Sequence, residues 1–218
     1  MTEALRRLVL LRHGQTAWNL SGRAQGHRDI DLDETGRTQA ARVAPIIATR
    51  YRPVRLVSSD LQRARSTAAM VGQACGLTPS HDAAFREFAI GPNREGTTVP
   101  EWRERFPEEY ALFKAGRWHE IPGRETEDDV IARFVPELSA VAASLDPGEC
   151  AVVVTHGSAL RRSIVDFLGW PVAVHAGLAG LGNCHWIEVE EYGSARWRMV
   201  AYNLSAAVEA DEDENNAG

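Results

Sequence analysis

The chain has 218 residues, 44% of them hydrophobic and 25% charged, ordinary globular values that exclude global disorder. Its formal net charge of −6 gathers at one end, at Glu209, Asp211, Glu212, Asp213 and Glu214. The remainder is near neutral with no basic run, which speaks against a nucleic-acid surface.

No apolar stretch approaches the ~20 residues of a membrane span, and the run at residues 8–11 is cut off too soon by Arg12 and His13 for a signal peptide. Cys75, Cys150 and Cys184 are odd in number and contain no CxxC pair. They read as small core residues of a cytoplasmic, reducing compartment.

In chain order, residues 6–11 read as a strand buried on both faces. A polar, Gly-containing segment follows to about Asp33. Thr35 then caps a helix whose apolar residues, Ala40, Val43, Ala44 and Ile47, recur at helical spacing. Residues 54–57 read as a second strand, running through the cap signal Ser58-Ser59-Asp60 into a helix that Gly76 ends. Residues 85–123 are irregular and rich in Gly and Pro, with short helices around 101–105 and 108–114. Inserted segments of this kind often shape a substrate pocket.

Val130, Phe134, Leu138, Val141 and Leu145 mark a long amphipathic helix, which Pro136 is expected to bend or restart. A third buried strand at 151–155 precedes a helix near 158–168. Two last strands, about 184–189 and 196–202, flank the turn signal Tyr192-Gly193. Alternating strands and helices predict an α/β fold, a three-layer α/β/α sandwich on a mostly parallel sheet. A single domain over 1–205 is expected, with 206–218 as an acidic disordered tail.

In such a sheet, ligands bind beyond the carboxyl ends of the strands. The first strand ends in Arg12-His13-Gly14, the second leads to Arg63, and the third ends in His156-Gly157. Two arginines and two histidines at one sheet edge repel one another unless an anion sits among them. Helix N-termini there add oriented N–H groups, and together these features read as a phosphate pocket.

Leu11-Arg12-His13-Gly14-Gln15-Thr16 with Trp18-Asn19 resembles the signature of the histidine phosphatase (phosphoglycerate mutase-like) superfamily. Further matches follow in order. They are Gly22-Arg23, Gln25-Gly26, Asp29 with Leu32 and Gly36, Ser58-Ser59-Asp60-Leu61, Arg63-Ala64, Thr67-Ala68, Arg86-Glu87, Gly123 with Glu125, and Val154-Thr155-His156-Gly157. The resemblance implies a phosphoglycerate mutase-like fold and a phosphomonoesterase that works through a phosphohistidine on His13. The substrate would be a small phosphorylated metabolite, a sugar phosphate or phosphoglycerate.

Arg12, Arg63 and His156 would hold the phosphate oxygens, with Asn19, Gln25 and Gly26 completing the phosphate site. Glu87 would protonate the leaving group and then deprotonate water; Glu95 is the nearest substitute. No cofactor and no metal is implied, since His27, His81, His119, His175 and His185 are scattered without ligand spacing. A homodimer is left open.

Related phosphatases follow the acid with Gly-x-Trp-x-Gly. Here the loop reads Gly91-Pro92-Asn93-Arg94-Glu95-Gly96, longer and without the tryptophan. Arg94 in it is open to two readings, contact with a second anionic group or a solvated loop charge. The C-terminal stretch with Leu181-Gly182-Asn183, Trp186, Arg196-Trp197-Arg198 and Asn203-Leu204-Ser205 is similar to actinobacterial glucosyl-3-phosphoglycerate phosphatases.

Two alternatives stand beside the phosphatase reading, a cofactor-dependent phosphoglycerate mutase and a non-catalytic binding protein on the same fold. The short interval from Glu87 to Glu125 favours hydrolysis over a mutase. The presence of all five reacting residues weighs against a binding protein.

Overall fold

A computed structural model describes residues 4–193 and 196–206. Most of the acidic tail, from 207 on, therefore lies outside the described residues. Among those described, no helix is long and apolar enough to cross a membrane.

The first strand, β1 (Arg7–Arg12), is central. A short helix α1 (Ala17–Leu20) and a long one, α2 (Glu34–Tyr51), lead to β2 (Arg55–Ser58), α3 (Gln62–Cys75) and the two-residue β3 (Ser80–His81). Two short helices, α4 (Val99–Arg105) and α5 (Pro107–Lys114), precede α6 (Glu127–Ala143), β4 (Cys150–Thr155) and α7 (Gly157–Phe167). The hairpin β5 (Trp186–Tyr192) and β6 (Arg196–Leu204) completes the order.

The described strands form one sheet in the order β3-β2-β4-β1-β5-β6. The first four run parallel and the hairpin antiparallel. Each buried strand feeds both faces of the sheet, because successive side chains point to opposite sides. Val9 and Leu11 pack with Ala40, Val43 and Ile47 of α2 and Ala64, Ala68 and Val71 of α3. Leu8 and Leu10 pack on the other face with Val130, Phe134 and Leu138 of α6 and Leu160 and Ile164 of α7. That is the three-layer α/β/α arrangement read from the sequence.

Several boundaries differ from expectation, each for a local reason. The cap of α2 is Asp33, not Thr35: its carboxylate accepts the Gly36 N–H at 2.8 Å. Helix α3 starts from Leu61 with no side-chain cap of its own. Ser59 and Asp60 are taken by tertiary partners, His156 and Arg86, and Asp29 accepts the Gln62 N–H instead, at 2.6 Å.

Helix α6 runs through Pro136 as one element rather than restarting there. The strand β5 begins at Trp186 because Cys184, at φ 54°, lies in the left-handed region. β3 is too short to leave a pattern.

The loop after β1 is held by direct backbone packing on α2. A Cβ on Gly36 would stand 2.0 Å from the Gln15 carbonyl oxygen, and one on Gly14 would stand 2.5 Å from that of Gly36. Neither neighbour is a flexible side chain, so the helix start and the loop that follows His13 touch only because both residues are glycine. Gly36→Ala is expected to cost about 2 kcal/mol or more, lowering Tm by roughly 4–8 °C. A thermal melt with unchanged Tm would contradict this contact.

Candidate active site

Parallel register builds the site. Arg12 of β1 lies opposite Thr155 of β4, and Ser58 of β2 opposite Val154. One residue beyond, the His13 N–H donates to Thr155 O and the Ser59 N–H to Val154 O, both at 2.9 Å. His13 and His156 therefore emerge side by side, ring centroids 5.1 Å apart. His13 opens onto a cleft of ≈450 Å³ at the carboxyl end of the parallel strands. Arg12, His13, Asn19, Gln25, Gly26, Arg63 and Glu87 all line it.

His13 is buried, and its Nδ1 lies 2.7 Å from Gly14 O. A carbonyl only accepts, so the ring proton sits on Nδ1 and the neutral ring keeps its lone pair on Nε2. The peptide carrying it is fixed too. Asn183 Nδ2 donates to His13 O at 3.1 Å, the Cys184 N–H donates to the same oxygen, and the Gly14 N–H donates to Thr67 Oγ1. Burial, then Arg63 and Arg12, hold the His13 ring well below the usual imidazole range, outweighing the bond to Gly14 O.

Arg63 is 1% exposed. Its Nε donates to His156 Nδ1 at 3.2 Å, and its two terminal nitrogens donate to Arg28 O and Gly26 O, each at 2.8 Å. Burial pushes the guanidinium down to about 10, opposed first by Glu87 and then by Asp29. Arg12 is likewise lowered by burial and opposed by Glu87. One terminal nitrogen of Arg12 donates to Leu181 O, while its Nε is buried without a hydrogen-bond partner. Gly157 allows this approach, since a Cβ there would stand 3.3 Å from Arg12 Nε.

His156 is fully buried behind Arg63 and is not among the cleft-lining residues. Because Arg63 Nε–H can only donate, His156 Nδ1 accepts, and the ring proton on Nε2 goes to Ser59 Oγ at 2.9 Å. Both ring nitrogens are thus engaged by protein, and in this arrangement His156 orients Arg63 rather than facing the cleft. Burial, then Arg63 and His13, also hold its ring well below the usual imidazole range.

Glu87 lies at the N-terminus of α7. Its carboxylate accepts the N–H groups of Phe88 (3.0 Å), Ser158 (3.0 Å) and Ala159 (2.7 Å). Arg133 and His27 hold its backbone carbonyl at 2.9 and 2.7 Å. Glu95, the substitute acid, is instead paired with Arg28 at 3.0 Å.

Asn19 accepts at Oδ1 from the Thr16 N–H and from Asn183 Nδ2, which leaves its amide N–H groups for the cleft. Gln25 Oε1 is buried and unpartnered. Gly26 both lines the cleft and braces Arg63.

Arg94 is half-buried, bonded to Thr97 and over the Trp102 ring at 5.2 Å, and is not among the cleft-lining residues. Among the described residues no His, Cys, Asp or Glu group could hold a metal ion. The partners Ser59, Thr67 and Asn183 were visible as motif residues, but no local pattern revealed what they would touch.

The model of the histidine phosphatase superfamily (branch 1) matches residues 8–205. The chain is 35% identical over 220 residues to the glucosyl-3-phosphoglycerate phosphatase of Mycobacterium tuberculosis, covering 94% of this chain and 98% of that protein. It is 38% identical over 157 residues to the metal-independent phosphoserine phosphatase of Arabidopsis thaliana, covering 71% of this chain and 65% of that one. The solved structure of the mycobacterial glucosyl-3-phosphoglycerate phosphatase complexed with VO3 superposes with a TM-score of 0.81. That match has 35% identity and covers 92% of this chain and all of the other.

The depressed basicity of His13 has a measurable sign. A free imidazole gains its proton near pH ~6.5 on acidification. His13 is held below that value, so its ring stays neutral at mildly acidic pH. Its Cε1–H NMR resonance, assigned by comparison with His13→Gln, is expected not to move between about pH 7.5 and about pH 5.5. A midpoint near pH ~6.5 would contradict the buried, cation-flanked environment.

Proposed function

The chain belongs to the histidine phosphatase superfamily, and we propose that His13 carries the phosphoryl group in a two-step hydrolysis of a small phosphomonoester. The observation that supports this most is the tautomer of His13. With Nδ1–H on Gly14 O, the Nε2 lone pair is left as a nucleophile in a cleft that Arg12 and Arg63 make positive.

In the first half-reaction, Nε2 forms a bond to phosphorus while the ester P–O bond breaks. The departing alkoxide takes a proton from the protonated form of Glu87. In the second, the Glu87 carboxylate takes a proton from water, whose oxygen bonds to phosphorus as the P–Nε2 bond breaks, returning His13 to its starting state. The guanidiniums of Arg12 and Arg63 and the Asn19 amide hold the non-bridging oxygens, where charge shifts in the transition state. His156 acts first through Arg63, and its Nε2–H would reach a phosphate oxygen only on leaving Ser59 Oγ.

Substrates of the sugar phosphate or phosphoglycerate type fit relatives named for glucosyl-3-phosphoglycerate and phosphoserine. The cleft is also walled by Phe88, Ile90, Phe113 and Trp118, a surface suited to a carbon skeleton. The free thiols of Cys75, Cys150 and Cys184 fit a cytoplasmic setting.

The test is phosphate release from a panel of phosphomonoesters, with and without added 2,3-bisphosphoglycerate. Wild type is expected to need no bisphosphate, and His13→Ala to lose essentially all activity. Glu87→Gln is expected to slow alkyl phosphates about 10²–10⁴-fold and p-nitrophenyl phosphate much less, because its leaving group needs no proton. Isomerisation of 3-phosphoglycerate without phosphate release, or full activity in His13→Ala, would overturn the proposal.

A further inference from the structure

The cleft carries charge that phosphate chemistry at His13 does not use. Arg23, Arg124, Arg161 and Arg162 also line it. Arg23 is neutralised by Glu101 at 2.7 Å, and Arg162 by Glu127 at 2.7 Å. Arg161 donates one N–H to Leu178 O at 3.2 Å, and among the described residues no carboxylate is within ion-pair reach of it. Arg124 has neither ion pair nor side-chain hydrogen bond among the described residues, and its Nε is buried without a partner.

Arg124 is nevertheless held firmly. Its guanidinium lies 5.1 Å from the Trp118 ring centroid and 5.8 Å from that of Phe113. Those two rings stack at 5.8 Å, and the Trp118 indole N–H donates to Phe113 O at 2.9 Å. The backbone of Arg124 is bridged to Ile90. Gly91 (φ 83°) and Gly123 (φ 71°) make this approach feasible, since a Cβ on Gly91 would stand 2.7 Å from Pro122 O.

A fixed, partly buried guanidinium with open donors inside a substrate cleft is costly unless the ligand completes it. We propose that Arg124 receives a carboxylate of the substrate, so that the enzyme selects phosphomonoesters bearing a carboxylate beyond the scissile phosphate. The inference rests on the phosphomonoesterase reading of His13 and its neighbours. A planar carboxylate matches the guanidinium of Arg124, which presents N–H donors in a fork. Glu127 also lines the cleft and its charge acts on Arg124, so a phosphate dianion is repelled more strongly here than a carboxylate monoanion. Phe113 and Trp118 hold the guanidinium in plane as cation–π partners.

The experiment compares 3-phosphoglycerate with glycerol 3-phosphate, which keeps the phosphate and the three-carbon chain but replaces the carboxylate with a hydroxymethyl group. The readout is the ratio of their kcat/KM values in wild type, Arg124→Gln and Arg124→Lys, each checked for an unchanged circular dichroism spectrum. Wild type is expected to prefer 3-phosphoglycerate. Arg124→Gln should lower the ratio roughly ten- to hundredfold, mainly through KM, with Arg124→Lys falling between. A general loss of packing would slow both substrates alike and leave the ratio unchanged, which would overturn the inference. So would a wild type that does not distinguish the two compounds. A wild type that hydrolyses neither of them nor p-nitrophenyl phosphate would overturn the phosphomonoesterase reading, and this inference with it.

Discussion

Burying guanidinium groups without carboxylate partners is the constraint on which the rest of this molecule turns. Arg63 is almost completely removed from water, yet its hydrogen bonds go to two backbone carbonyls and a neutral imidazole rather than to an anion. Its positive charge is therefore positioned but not neutralised. Arg12 beside it is held by a single carbonyl. Glu87, tied to the first turn of α7, is the carboxylate that most offsets both. A phosphate entering this cleft meets fixed donors that need not reorganise, the preorganisation that makes charge stabilisation effective.

The same charges set the state of the two histidines. Each ring sits in a buried, positive environment that resists protonation, and each has one nitrogen fixed by a partner whose role is unambiguous: a carbonyl for His13, a guanidinium N–H for His156. Neighbouring imidazoles thereby acquire opposite tautomers. One presents a lone pair from Nε2 and the other carries its proton there. The sheet register that pairs Arg12 with Thr155 makes this division of labour local, because His13 and His156 follow those residues at adjacent strand ends.

Much of this was legible in the sequence because buried parallel strands are apolar runs, and the polar residues that end them stand out. Arg12, His13 and His156 were found that way, and the architecture followed from alternating periodicities. What sequence could not supply were partners distant along the chain. Asp29 replaces the local cap expected for α3, since Ser59 and Asp60 are drawn away by His156 and Arg86. The retreat of His156 behind Arg63 depends on Ser59, nearly a hundred residues earlier. Arg124 belongs to no motif in the sequence; the paired glycines and the Phe113–Trp118 stack hold it on the cleft wall. Arg94, which sequence offered as an anion contact, is turned onto Trp102 instead.

Hydrolysis through His13 requires phosphorus to bond to its Nε2 during turnover. Rapid acid-free quenching with a radiolabelled phosphomonoester, followed by peptide mapping, tests it most directly. One acid-labile, alkali-stable label is expected on the peptide containing His13, formed in a burst and absent from His13→Ala. Label on another residue, or turnover with no covalent label and inversion of configuration at phosphorus, would contradict it.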